Sequence, residues 1–153
     1  MITNAFTCTG PYAMLILSGM KQVENRSAKP VHAEGRCAIS GSKKFSMKEY
    51  ENFIAWANKV LGLAWCMTNL WDWDEVQAWR GCLVAVADYK VIDVIREDEF
   101  YAKQCLFWNE GYLNWWLLLN VKRLPKPIPC RGNVGMWQLT DELSAAVSAM
   151  EMS

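Results

Sequence analysis

The sequence predicts an α+β fold, a small mixed sheet or barrel with flanking helices, on three observations. Ser46-Met47-Lys48-Glu49 has the form of a capping box, and Tyr50, Phe53, Ile54, Ala57 and Leu61 follow at the 3.6-residue spacing that buries one face of a helix. Short apolar runs such as Cys82–Ala87 read as buried strands rather than helices. Helix, short strands in the middle, further strands and a closing helix give the order of an α+β domain, without repeats or low-complexity linkers. The 153 residues, 52% of them hydrophobic, suit one domain spanning 1–153.

Residues 2–8 form the first expected strand. Pro11 opens a short helix over Tyr12–Leu17 and Gly19 stops it, the usual asymmetry of proline at the start and glycine past the end. Gln22–Arg26 alternates weakly, as a strand does, and Arg36–Ser40 is a second short strand ending at Gly41. Gly62 terminates the capped helix. The stretch 63–80 reads as a tryptophan-rich insert in loop form, with Trp65, Trp71, Trp73 and Trp79 among Asp72, Asp74 and Glu75. The Cys82–Ala87 strand continues through Val91–Ile95, and Glu97-Asp98-Glu99 marks a solvated loop. Tyr112–Leu119 is a strand, Pro125, Pro127 and Pro129 are expected to break regular structure, and Val134–Leu139 is the last strand. Thr140-Asp141-Glu142 places a cap and two acids where a helix dipole favours them.

Composition excludes several classes. No apolar run reaches the roughly 18 residues of a membrane span, and the N-terminus lacks the pattern of a secretory signal, so the chain is expected to be cytoplasmic. The six cysteines are scattered, no C-x-x-C pair occurs and His32 is the single histidine; reduced thiols are expected, with no metal and no other cofactor. Net charge is zero but uneven: residues 1–50 carry seven Lys/Arg against three Glu, a balance of +4, and residues 51–110 carry five against ten, a balance of −5. A protein that coats duplexes is usually basic overall, so any nucleic-acid contact here is a local patch from the first third and the 122–131 stretch.

Four blocks in order add to this reading. Gly10-Pro11-Tyr12-Ala13, Ile16, Ser18-Gly19, Lys21 and Glu24-Asn25-Arg26-Ser27 come first, then Gly35–Ile39 with Ser42-Lys43, then Gly81–Val84 with Asp88. Trp116, Pro127-Ile128-Pro129, Gly132 and Gly135–Leu139 close the set. Together they resemble the activating-signal-cointegrator homology (ASCH) family, whose opening runs into G-x-K-x-x-E-x-R-S. The sequence departs from the pattern at Gly10, at Ser40, where members often carry histidine, and in the 63–80 insert. The resemblance implies a PUA-like small mixed β-barrel with the first helix beside a cleft, and a role in binding RNA or single-stranded DNA. It also leaves open an amidohydrolase acting on acylated cytidine-type nucleosides, since one branch of the family pairs a lysine with a threonine three residues on. Here that second position is Glu24.

The candidate site residues are Tyr12, Lys21, Glu24, Arg26, Ser42, Lys43 and Lys44, with Lys21 and Glu24 as the catalytic pair if the chain is an enzyme. In a strand Glu24 and Arg26 share a face opposite Val23, so burying Val23 is expected to point the charges to solvent or a cleft. A carboxylate beside Lys21 favours the ammonium over a free-base nucleophile and suits gripping a phosphate. Ser42, Lys43 and Lys44 follow Gly41 in a turn where amides and ammonium groups can hold a phosphate, with Arg26 and Arg36 completing a basic rim and Lys122, Arg123 and Arg131 adding a second. Tyr12 offers a ring for a base to stack on. Trp71, Trp73 and Trp79 are expected either as a lid or protein-contact patch, or packed against the capped helix.

Overall fold

The computed structural model describes residues 1–9, 11–26, 29–62, 72–92 and 114–152. Along the chain these form β1 (Asn4–Cys8), α1 (Pro11–Leu17), β2 (Val23–Arg26), β3 (Glu34–Gly41), α2 (Met47–Leu61), α3 (Trp73–Trp79), β4 (Cys82–Ile92), β5 (Asn114–Pro129), β6 (Met136–Gln138) and α4 (Asp141–Met152). The expectations placed on Trp65, Trp71, Cys66, Cys105, Glu97-Asp98-Glu99 and Tyr112 lie outside the described residues.

The six strands make one mixed sheet in the order β2-β5-β4-β3-β1-β6, with β1 parallel to β3 and every other pair antiparallel. Four inter-strand steps separate β2 from β1, about 19 Å in a flat sheet. Arg26 at the end of β2 nevertheless donates from Nη2 to the Thr7 carbonyl of β1 at 2.6 Å. The sheet is therefore curled into a half-barrel, the α+β, PUA-like architecture expected.

Burial on both faces explains why β4 reads as a continuous apolar run: residues 82–87 are all buried. One cluster fills the inside of the curl, with Phe6, Cys37, Ile39, Val84, Trp116 and Leu118. A second lies under α4, where Ile2, Ala5, Ala38, Leu83 and Val86 meet Val147. A third joins the helices, with Met14 and Leu15 of α1 against Phe53 and Ala57 of α2 and Val76 of α3. The capping box forms in full: Ser46 Oγ accepts from Glu49 N–H, and Glu49 Oε2 accepts from Ser46 N–H. Cys8, Cys37, Cys82 and Cys130 are free thiols. No helix among the described residues is long and apolar enough to cross a membrane.

Two elements differ from the sequence reading. Part of the expected tryptophan loop is helix α3, started by Asp72, whose Oδ1 accepts from Glu75 N–H at 2.8 Å. It turns Trp79 into the core and stacks Trp73 beside Tyr50 and Phe45, at 5.4 and 6.1 Å between ring centroids. Trp73 takes the packed alternative beside α2, while Trp79 is buried in the cluster inside the curl rather than against that helix. Secondly, β5 runs straight through Pro125, Pro127 and Pro129. Cys130 N–H donates to the Gly81 carbonyl, so by alternation Pro129 and Pro127 turn their nitrogens away from β4. Among the described residues β2 covers that outer edge only along 114–117, and the prolines remove donors from an edge that has no partner there to need them. The bend in β5 is at Asn120, φ 49°, beside a register shift against Val86 and Asp88.

The second cluster is clamped by charge. Arg36 Nη1 binds Asp88 Oδ1 at 2.6 Å, its Nη2 and Nε bind Glu151 of α4, and Asn120 Nδ2 donates to Asp88 Oδ2 at 2.7 Å. The Asn120 hydrogen bond, helped by Arg36, holds the Asp88 carboxyl below the usual carboxylate range. Such a group adds stability that is complete above the unfolded value of about 3.9 and is lost as pH falls through the lower, folded one. Denaturant melts taken from pH 6 down to 3 should show this loss in the wild type and a smaller one in Asp88→Asn. With 37% of the Asp88 side chain exposed the difference stays under about 1 kcal/mol. Trp79→Ala, by contrast, empties a core position and should cost about 3–5 kcal/mol in the same melts.

Candidate functional site

The alternation of β2 is as expected and Val23 is buried, but the charged face is enclosed as well. Val23 packs on the outer side with Ile92, Leu117 and Trp115. Glu24 and Arg26 point into the curl, where Glu24 lies opposite Trp116 in the ladder with β5. The curl brings β1 over this face, so what a flat edge strand leaves to solvent is enclosed.

Enclosure forces the charges to pair. Glu24 Oε1 binds Arg26 Nη2 at 2.8 Å, and its Oε2 lies 3.4 Å from Lys21 Nζ. Lys21 is 2% exposed; its ammonium also donates to the Val23 carbonyl and stands 5.5 Å from the centroid of the Tyr12 ring. The Arg26 guanidinium rests against Phe6 and Trp116, at 5.3 and 5.6 Å from their centroids. Arg26 Nε and Trp116 Nε1 are buried donors with no hydrogen-bond partner among the described residues. The neighbouring Cys8 thiol is pushed well above its ordinary value by burial and by Glu24, which disfavours the thiolate. Lys21 also lines a groove of about 300 Å³, together with Ser18, Gly19, Gln22, Leu119 and Asn120.

A second group of site residues sits elsewhere, where the end of β3, the α3–β4 turn and the end of β5 meet. Ser42 N–H donates to the Cys8 carbonyl, and Ser42 Oγ accepts from Lys44 N–H at 3.1 Å. The Lys43 stem lies across Gly81, φ 66°, where a Cβ would come within 2.4 Å of it. Burial raises the Cys82 and Cys130 thiols, and at Cys130 the Ser40 hydrogen bond, then the Lys43 charge, acts against it. Arg80 donates from Nε and Nη2 to the Lys43 carbonyl at 3.1 and 2.7 Å. Arg131 follows Cys130 at the same junction. Ser42, Trp79 and Arg80 share the walls of a narrow cleft between α1 and α3.

The structure thus divides the residues singled out in the sequence. Tyr12, Lys21, Glu24 and Arg26 are together in the curl; Ser42, Lys43 and Lys44 are together on the rim. Arg36 is bound by Asp88 and Glu151, Lys122 caps α4 through the Glu151 carbonyl, and Arg123 pairs with Glu75 at 2.9 Å. Sequence reasoning missed Arg80. The signal was present in the Arg80-Gly81 step just before the β4 run, but its relevance depends on Lys43, 37 residues earlier.

No family model matches this chain, and no curated protein matches it. Among solved structures it is similar to the crystal structure of ASCH from Zymomonas mobilis, at 13% identity and TM-score 0.50, covering 96% of this chain and 94% of that one. A serine-to-alanine variant of that protein aligns at 13% identity and TM-score 0.51 over 95% and 94%, and a tyrosine-to-phenylalanine variant at 14% and 0.50 over 96% and 96%. At such identity the likeness concerns the fold.

Among the described residues Glu24 is the carboxylate that binds both enclosed cations, Lys21 and Arg26. Replacing it by glutamine should cost about 3–5 kcal/mol in chemical denaturation, the range for removing one partner of a buried charge pair. A loss below about 1 kcal/mol would mean that the three groups are hydrated like a surface pair.

Proposed function

From the ASCH fold that this chain adopts, we propose that it binds RNA or single-stranded DNA on the rim formed by Ser42, Lys43, Lys44, Arg80 and Arg131. One observation carries the reading. Among the described residues Lys43, Lys44, Arg80 and Arg131 have no carboxylate partner, whereas Lys21 and Arg26 share Glu24, Arg36 binds Asp88 and Glu151, and Arg123 binds Glu75. In a chain of zero net charge, four such cations at one junction form a local positive site. It is the size of a few phosphates, which suits a short single-stranded segment better than a duplex track. Lys21, Glu24 and Arg26 then act from behind, by holding β1 and β2 together beneath α1.

The amidohydrolase reading draws on the groove over Lys21, whose volume of about 300 Å³ lies at the lower end of small-molecule sites. Against it, the Lys21 ammonium is directed at Val23 and Glu24, and Glu24 has no hydroxyl to offer in the place of a threonine.

Fluorescence anisotropy with labelled ten-nucleotide RNA and DNA in low salt tests the binding. The expected slope is about 0.7 per neutralised phosphate, so no more than about 3 for four cations. Lys43→Ala/Lys44→Ala should weaken both oligomers alike and lower the slope by about half. Binding unchanged in that variant, or no binding by the wild type, rejects the rim.

A further inference from the structure

The narrow cleft beside the rim is a gap in otherwise close packing. Its volume is about 20 Å³, and Ala13, Met14, Phe45, Val76 and Val84 form its apolar walls. All five are buried, Ala13 and Val84 in the cluster inside the curl and the other three in the cluster between the helices. Ser42 and Arg80 also line it, and both are half-buried, so the cleft meets the surface at the rim. The volume exceeds the roughly 10–15 Å³ that admits one water, which gives room for a group of methyl size and little more. A water held there needs about two to four polar partners. The polar groups at the opening are bound already. The Gly41 carbonyl accepts from Gly81 N–H at 2.8 Å, and Ser42 N–H donates to the Cys8 carbonyl. Ser42 Oγ accepts from Lys44 N–H, and Arg80 donates from Nε and Nη2 to the Lys43 carbonyl. The cleft therefore favours an apolar occupant.

We infer that this cleft takes the C5-methyl group of a thymine whose phosphate is held on the rim. The inference rests on the nucleic-acid reading above and deepens it, because it chooses between the two polymers. Thymine belongs to DNA, and uracil, its counterpart in RNA, has no methyl group. Arg80 links the two contacts. It is one of the rim cations and also a wall of the cleft, so a phosphate bound beside it brings the attached base to the opening. Proteins meet the thymine methyl with small or aromatic apolar side chains such as alanine and phenylalanine, and Ala13 and Phe45 are walls here. Cytosine and the purines carry no such methyl, so the contact favours thymine among the bases of DNA. It adds what the phosphate contacts lack, since those position a strand without reading it.

The test compares labelled ten-nucleotide oligomers of deoxythymidine and deoxyuridine, which differ in the methyl group alone, by anisotropy in low salt. The wild type should bind the thymine oligomer about fourfold more tightly, the gain from burying one methyl-sized group. Val84→Ile adds one methylene to a wall of the cleft and should bring that ratio to near one. Affinity for the uracil oligomer and its salt slope should stay within about twofold, because the rim contacts are separate from that wall. Should Val84→Ile melt early, Val76→Ile adds the same group from α3 and is expected to act alike. A wild-type ratio of one, or a ratio that survives in both variants, overturns the methyl site and leaves the rim standing. Failure of the wild type to bind either oligomer overturns both.

Discussion

Arg26 crosses the mouth of the curled sheet, and most of what distinguishes this molecule depends on that crossing. Its guanidinium joins the carbonyl of Thr7 on β1 to the carboxylate of Glu24 on β2 while lying against Phe6 and Trp116. Arginine suits this position because its planar head is weakly hydrated, accepts aromatic neighbours and still offers several donors in fixed directions. A hydrogen bond between strands that are four places apart in the sheet order is possible only if the sheet bends, and the bend encloses the interior cluster. Lys21 follows from the same constraint. Once Arg26 and Glu24 are enclosed, Lys21 is enclosed with them, and it turns its ammonium to Glu24 and to the backbone of Val23.

That arrangement sorts the positive charge of the chain into two populations. The cations within the curl, and those that fasten α4, are spent on carboxylates: Arg26 and Lys21 on Glu24, Arg36 on Asp88 and Glu151. Those at the meeting of β3, the α3–β4 turn and β5 bind no carboxylate among the described residues. Arg80 binds a carbonyl, and Lys43 is laid across a glycine that has no side chain to deflect it. Backbone contacts orient a cation without cancelling it. The net charge of zero is therefore compatible with a site for anions, because neutralisation is local and incomplete.

Helix α3 connects the two ends of this account. Its cap, Asp72, starts the helix, its acid Glu75 fixes Arg123, and its last residue, Trp79, is both core and support. At the other side Gly41 admits the carbonyl of Trp79, which a Cβ there would approach to 2.8 Å. A segment that reads as aromatic and acidic thus becomes the wall between the barrel interior and the rim.

The local rules were legible in the residues themselves. Ser46 and Glu49 specify a helix start that any helix of this sequence would use, the spacing from Tyr50 to Leu61 specifies the buried face, and six apolar residues from Cys82 specify a strand covered on both sides. These are short-range effects, in which each residue acts on neighbours within one turn or one ladder step. The pairing of Lys21, Glu24 and Arg26 in the sequence was legible too, but not which side of the sheet it would face, since alternation sorts residues into two faces without saying which is enclosed. The Asp72-to-Glu75 cap was overlooked beneath the tryptophans, and the prolines of β5 were read as breaks because an edge without a partner cannot be seen in one strand. Local sequence therefore specifies most of the elements, their order and the residue types available for chemistry, but not α3 or the full length of β5. Tertiary structure alone decided which charges among the described residues meet a carboxylate and that Arg123 stands over Trp79. Those outcomes depend on distances between residues far apart in the chain, and such distances exist only once the sheet has curled.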